Sequence, residues 1–215
     1  MNVIGLLGGS FDPIHYGHRT LGCAAVEEVA LDKLIVMPTH IQPFKQNKKV
    51  AQDEHRLAMA ALAFDGCDKV EISDYEIKKG DVSYSYDTMS HFREQYPNDE
   101  LFFIMGADSF INVEKWYKGE ELLSEFGFIV SSRPGYPEKV LESCIKFYKE
   151  DYGTKIIRLR TKMPDISSTE IRETAMEGDS ISHLVPPKVE QYINENDLYE
   201  DLRELERNYR WTTVL

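Results

Sequence analysis

The amino-acid sequence predicts an α/β fold: a doubly wound, mostly parallel sheet with helices on both faces. Three observations lead there. Largely apolar runs recur at residues 3–7, 33–38, 101–105 and 126–131, apolar at consecutive rather than alternate positions. Strands of that kind are covered on both faces, as in parallel sheets. Stretches with apolar residues at helical spacing separate the runs, so strand alternates with helix. Glycine-bearing and polar loops follow directly on the strands, and that edge is where such sheets bind ligands.

Taken in order, the strand at residues 3–7 is broken by Gly8-Gly9, and Asp12-Pro13 sets a turn. A helix follows Gly17, with Leu21, Ala24, Ala25 and Val29 on one face. The strand at 33–38 ends at Pro38 and enters a polar loop, residues 39–50, containing Gln42, Pro43, Phe44 and Lys45. Residues 52–64 read as an amphipathic helix with Leu57, Ala60, Ala61 and Phe64 inward, and residues 69–73 as a short strand. Residues 74–82 read as charged and irregular, and Ser83 opens a helix to residue 96. Gly106 ends the strand at 101–105, and helices at 108–113 and 119–124 lead into the strand at 126–131. A helix at 137–151, a strand at 155–159 and a helix at 168–177 come next. Pro186 opens the last helix, to residue 194, at the position where proline suits a first turn. One domain spans residues 1–201, and residues 202–215 form a basic, aromatic tail with Arg203, Arg207, Tyr209, Arg210 and Trp211.

With 215 residues, 42% hydrophobic and 29% charged, the chain can bury a substantial core. The absence of an 18-residue apolar run or a secretory leader predicts a cytoplasmic protein with no membrane partner. A net charge of −12 argues against nucleic acid as a partner. The same charge requires that any strongly anionic ligand be met by a few gathered cations, which draws attention to Lys45, Arg133 and Arg172. Cys23, Cys67 and Cys144 lack a C-x-x-C spacing and read as small buried hydrophobes. Oligomeric state is left open.

The richest stretch is VIGLLGGSFDPIHYGH, residues 3–18. Strand, glycine loop and helix start succeed one another there, so backbone N–H groups can meet a phosphate at the positive end of a helix. Gly8, Gly9, Ser10 and Phe11 are the candidate loop residues, and His15 and His18 can place imidazole donors on phosphate oxygens. The rival readings are a structural pair or a zinc pair, and zinc would need further ligands, whereas His40, His55, His91 and His183 are scattered. In ISSTEIR, residues 166–172, Ser167 and Glu170 fit a helix capping box. Ser168 and Thr169 then fall in the first turn, whose amides lack intrahelical partners, and Arg172 reaches over the same end. Cap and phosphate grip are compatible. Gly106 permits close approach after a strand, and Asp108 can accept from ribose hydroxyls or cap a helix. Trp116-Tyr117 suit either a core or a flat ligand face.

The phrase GGSFDPIHYGH resembles the H-x-G-H signature of the nucleotidyltransferase superfamily. Together with ISSTEIR it is similar to the nicotinate-nucleotide adenylyltransferases of NAD synthesis, with motifs in order from residue 3 to about residue 199. The resemblance implies a Rossmann-like nucleotidyltransferase fold. It also implies an enzyme that transfers the adenylyl group of ATP to nicotinate mononucleotide, giving deamido-NAD and pyrophosphate. Mg²⁺ would arrive with ATP, since no residue cluster looks like a metal cage. His15, His18, Lys45 and Arg172 would be catalytic through their hold on the triphosphate, with Gly8, Gly9, Ser10, Phe11, Ser168 and Thr169 binding ATP. Trp116 would stack on the pyridine ring while the backbone of Tyr117 helps hold its carboxylate. Ser83 to Thr88, SYSYDT, looks like the family's S-Y-T-x-D-T stretch, with Ser85 replacing threonine; its amides would meet that carboxylate. Gly106, Asp108 and Arg133 would complete the acceptor site. One departure stands out: Gln42-Pro43-Phe44-Lys45 replaces the family's P-P-H-K, keeping the lysine but losing a polar contact at Phe44. Transfer onto nicotinamide mononucleotide or phosphopantetheine is the alternative, and a nucleotide-binding regulator without turnover the rival from another class.

Overall fold

The computed structural model describes residues 1–41, 50–132 and 134–199. Phe44 and Lys45, Arg133 and the tail, residues 202–215, lie outside the described residues. Six strands, β1 (Val3–Gly9), β2 (Lys33–Pro38), β3 (Val70–Ile72), β4 (Glu100–Gly106), β5 (Gly127–Ser131) and β6 (Ile156–Arg158), form one sheet in the order β3-β2-β1-β4-β5-β6. Every pairing is parallel. The helices are α1 (Tyr16–Val29), α2 (Asp53–Ala63), α3 (Tyr75–Lys79), α4 (Ser85–Gln95), α5 (Ala107–Phe110), α6 (Gly119–Glu125), α7 (Glu138–Asp151), α8 (Ser168–Met176) and α9 (Pro187–Glu195).

The consecutive apolar residues of the strands serve two separate cores, because side chains alternate across a sheet. Leu7, Leu34, Val36, Ile104 and Ile129 pack with Leu21, Met59, Ile171 and Val189 of α1, α2, α8 and α9. Their neighbours Leu6, Ile35, Met37, Phe103 and Val130 pack on the opposite face with Met89, Phe110, Leu122 and Leu141 of α4 to α7. Each such side chain contributes about 1.5–3 kcal/mol on burial. Strand order reverses between β1 and β4, and at that switch the carboxyl ends lie level: Gly8 beside Met37, Leu7 beside Ile104, Gly106 beside Ser131. The crevice beyond them holds the site.

Several elements differ from expectation. The inward face of α2 is Arg56, Met59, Ala60 and Ala63, while Ala61 is exposed and Leu57 only half-buried. The helix is turned because the Arg56 guanidinium, 1% exposed, is held beneath it by polar partners. Residues 75–79 of the stretch expected to be irregular form α3, closed by Gly80 in the left-handed region at φ 73°. Five residues are too few to show a helical period. Helix α4 begins at Ser85 rather than Ser83, since the Ser83 N–H pairs with Ile41 O at 2.9 Å and continues a bridge between Ile41 and Val82. The helix expected at 108–113 is split into α5 and a 3₁₀ turn, Val113–Lys115. All three cysteines are free and half-buried, and burial raises the Cys23 and Cys144 thiols above the ordinary value.

Candidate active site

The glycine loop leaves β1 and turns under α1. Phe11 adopts φ 48°, and the Asp12–Pro13 peptide bond is cis. His15 is the N-cap of α1, and its Nδ1 accepts from the Gly17 N–H at 3.1 Å. That bond places the proton of the neutral ring on Nε2. Gly17 is required at its position, because a Cβ there would sit 2.8 Å from the His15 ring. His18, one turn on, stacks on His15 with ring centroids 3.8 Å apart and planes 28° apart, and Phe11 meets it edge-on at 5.0 Å. His15 is 5% exposed. Two cationic imidazoles at that spacing would repel strongly, so the stack suits either mostly neutral rings or an anion across both.

Helix α8 faces this pair. Ser167 caps it, accepting from the Glu170 N–H at 3.1 Å. The Ser168 hydroxyl donates to Pro13 O at 3.0 Å, tying α8 to the glycine loop. Arg172 donates to Asp12 O at 2.6 Å and Ser168 O at 3.1 Å through Nη1, and to Thr169 Oγ1 at 3.3 Å through Nη2. The guanidinium is thus preset at the helix start before any ligand arrives, and the first-turn amides of α8 open beside it.

Sequence reasoning missed the residues that brace this loop. Arg56 donates from Nη1 to Ser10 O at 2.6 Å and from Nε to Ala51 O at 3.1 Å, and forms an ion pair with Asp53. Asp12, 3% exposed, accepts from the Ala51 N–H at 3.1 Å and the Tyr199 hydroxyl at 2.8 Å. Burial together with Asp12 keeps the Tyr199 hydroxyl protonated far above its ordinary range. One clue was legible: Arg56 occupies a helical position whose neighbours by period are apolar.

Two cavities open at the carboxyl edge. The larger, about 410 Å³, brings together Gly8, Gly9, Ser10, His15, His18, Ser168, Thr169 and Arg172. Gly106 and Asp108 line it too, and Asp108 folds back until Oδ1 lies 2.7 Å from where a Gly106 Cβ would be. Phe11 does not line it; its ring is buried against His18. The second cavity, about 230 Å³, is walled by Ser83, Ser85, Trp116 and Tyr117, joined by Glu76, which sequence reasoning had not singled out. Gly8, Gly9 and Ser109 belong to both walls, so the cavities adjoin. Trp116 packs edge-on to Phe103 at 6.5 Å, and Tyr84 lies against Tyr117 at 4.6 Å. The first-turn amides of α4 lack intrahelical partners, as in any helix, and its N-cap Tyr84 makes no side-chain cap bond to them beside this cavity. Among the described residues no group of three or more His, Cys, Asp and Glu could hold a metal ion, and no helix is long and apolar enough to cross a membrane.

Comparison with known proteins agrees with this geometry. The cytidylyltransferase-like family model matches residues 6–174. A Clostridium botulinum protein named "Probable nicotinate-nucleotide adenylyltransferase" is 38% identical over 202 residues, covering 94% of this chain and 100% of its own. A Clostridium tetani protein of the same name is 38% identical over 194 residues, covering 90% and 97%. Among solved structures, the Plasmodium falciparum nicotinic acid mononucleotide adenylyltransferase complexed with NaAD superposes with a TM-score of 0.79 over 93% of this chain and 98% of its own, at 23% identity. Its fold is therefore the fold seen here, and with relatives so similar over nearly the whole length, the chain belongs to the nicotinate-nucleotide adenylyltransferase family.

Proposed function

We propose that the chain transfers the adenylyl group of ATP to nicotinate mononucleotide, giving deamido-NAD and pyrophosphate, as a cytoplasmic enzyme of NAD synthesis. The observation that carries the reading is the pair of adjoining cavities with Gly8, Gly9 and Ser109 in their shared wall. Two nucleotides seated there bring an acceptor phosphate against a donor triphosphate at the end of β1. The acceptor's 5′-phosphate oxygen attacks the α-phosphorus of ATP, the bond to the β-phosphate's bridging oxygen breaks, and pyrophosphate leaves with that electron pair. The nucleophile is already ionised, so the protein needs no covalent intermediate and acts by positioning and charge stabilisation.

The stacked His15 and His18 donate to the reacting phosphates, and the α8 amides with Arg172 hold the outer ones. Lys45 and Arg133 enter from their sequence positions alone. Gly106 and Asp108, in the larger cavity, suit a ribose between the two sites. The larger cavity is lined by donors and a single carboxylate pair, Asp12 and Asp108, with Asp12 already engaged, which fits Mg²⁺ carried by the triphosphate, where it would neutralise the leaving pyrophosphate. Trp116 offers a face to the pyridine, and the α4 amides suit its carboxylate.

Pyrophosphate release from ATP with each acceptor tests this directly. Nicotinate mononucleotide should exceed nicotinamide mononucleotide by about 10²-fold in kcat/KM, from two charge-assisted bonds. Equal efficiency would overturn the acid preference. Preference for phosphopantetheine would overturn the acceptor, and release with none would favour a nucleotide-binding regulator.

A further inference from the structure

Among the described residues, Glu76 is the one carboxyl in the wall of the smaller cavity. It is 3% exposed. Oε1 accepts the Thr88 hydroxyl at 2.7 Å, linking α3 to the first turn of α4, while no described group hydrogen-bonds Oε2. The Ser83 hydroxyl lies near enough to pull on the carboxyl without completing a hydrogen bond to it. A carboxylate beside a pocket for another carboxylate is a conflict of charge, unless one of the two is protonated. We propose that Glu76 sets the charge preference of the acceptor site: uncharged, it admits a pyridine bearing a carboxylate, and ionised, it opposes that carboxylate while leaving a carboxamide unaffected. The inference rests on the acceptor assignment above and adds to it a residue that decides between the two acceptors.

The surroundings bias the carboxyl toward its uncharged form. Burial pushes the Glu76 carboxyl above the ordinary glutamate value, against the hydroxyls of Thr88 and Ser83 and the charges of Lys79 and Arg56. Lys79 on its own helix is offset by Asp87 of α4 at 3.7 Å, and Arg56 of α2 by its ion pair with Asp53. Lys115, from the 3₁₀ turn, and the phenols of Tyr84 and Tyr117 complete the titratable wall. Deprotonation as pH rises therefore places a negative charge beside the acceptor carboxylate in a wall whose one cation among the described residues is Lys115, and the acid acceptor feels it while the amide does not.

The test is the ratio of kcat/KM for nicotinate mononucleotide over nicotinamide mononucleotide, followed from about pH 5.5 to about pH 8.5, above the ordinary carboxyl range. Both acceptors carry the same 5′-phosphate, whose second pKa is about 6, so its titration cancels in the ratio, as does that of every residue acting on ATP. The ratio should fall with rising pH by about tenfold, the size of a carboxylate–carboxylate repulsion across such a pocket at an effective dielectric near 20. Glu76→Gln keeps an oxygen for Thr88 but cannot ionise, and its ratio should be flat. Thr88→Val breaks the link to α4 but leaves the carboxyl titrating, and its ratio should keep the slope. A flat ratio in the unaltered protein, a slope that survives Glu76→Gln, or a slope lost in Thr88→Val would each overturn the proposal. Failure of both mononucleotides as acceptors would instead overturn the acceptor assignment, and this inference with it.

Discussion

His18 and Arg56 show two ways in which a single residue can matter. His18 touches the proposed triphosphate site from a stacked position, and Leu21, Ala24 and Ala25 bury the rest of α1 without it. His18→Ala should therefore leave thermal unfolding nearly unchanged while turnover falls by about 10²–10³, the cost of one preorganised donor. Near-normal turnover in the purified variant would remove His18 from the mechanism. Arg56 is the reverse case. It lines neither of the two cavities, yet it holds Ser10 and Ala51 by their carbonyls and pairs with Asp53. Arg56→Met should cost about 3–5 kcal/mol, because removing the buried guanidinium strands the Ser10 and Ala51 carbonyls together with the Asp53 carboxylate. At about 2–4 °C per kcal/mol for a chain of this size, the melting temperature should drop by roughly 10 °C. A drop under about 2 °C would mean that water replaces those contacts.

At the scale of the element, α8 combines a cap and a grip at one helix start, and substitutions can separate them. Ser167→Ala removes only the bond to the Glu170 N–H, so stability should fall by about 1 kcal/mol in denaturant unfolding, with ATP binding unchanged. Arg172→Ala should do the opposite. ATP affinity should weaken by about 1.5–3 kcal/mol in calorimetric titration, and acceptor affinity by less, since Arg172 lines the larger cavity alone. Equal weakening of both ligands would put Arg172 at the junction of the sites.

Across the whole molecule, the sheet order places the ends of β1 and β4 side by side at the switch, and three segments distant in sequence are then pinned to Asp12. Ala51 and Tyr199 donate to its carboxylate, Arg172 to its backbone oxygen, and the cis bond to Pro13 follows it. Tyr199, just past α9, closes this set from the far end of the chain. Tyr199→Phe should lower stability by about 1.5–3 kcal/mol, the loss of a hydrogen bond to a charged group. It should also weaken ATP binding, because Arg172 and the glycine loop share that anchor. A destabilised variant with unchanged ATP affinity would show that the anchor serves the fold alone.

Much of this was determined by the sequence. Consecutive apolar strands, glycine loop, histidine pair and helix-start motif are local patterns, and local patterns follow from backbone geometry and side-chain period. The strands, most of the helices and the shared cavity of His15, His18, Ser168, Thr169 and Arg172 could be read from them, and relatives covering nearly the whole chain name the same chemistry. Only the tertiary structure decided which residues brace the site. Arg56 was not among the residues expected to face inward on its helix, and its place there follows from a guanidinium bonded to Ser10 O, 46 residues away in sequence. Asp12 and Tyr199 meet across 187 residues, a distance over which no periodic signal extends. Glu76 lay in a stretch without pattern, and its meaning came from burial and from Thr88 and Trp116 around one cavity. Pattern reports what a residue does for its own element, whereas a buried polar group answers to whatever the fold packs against it.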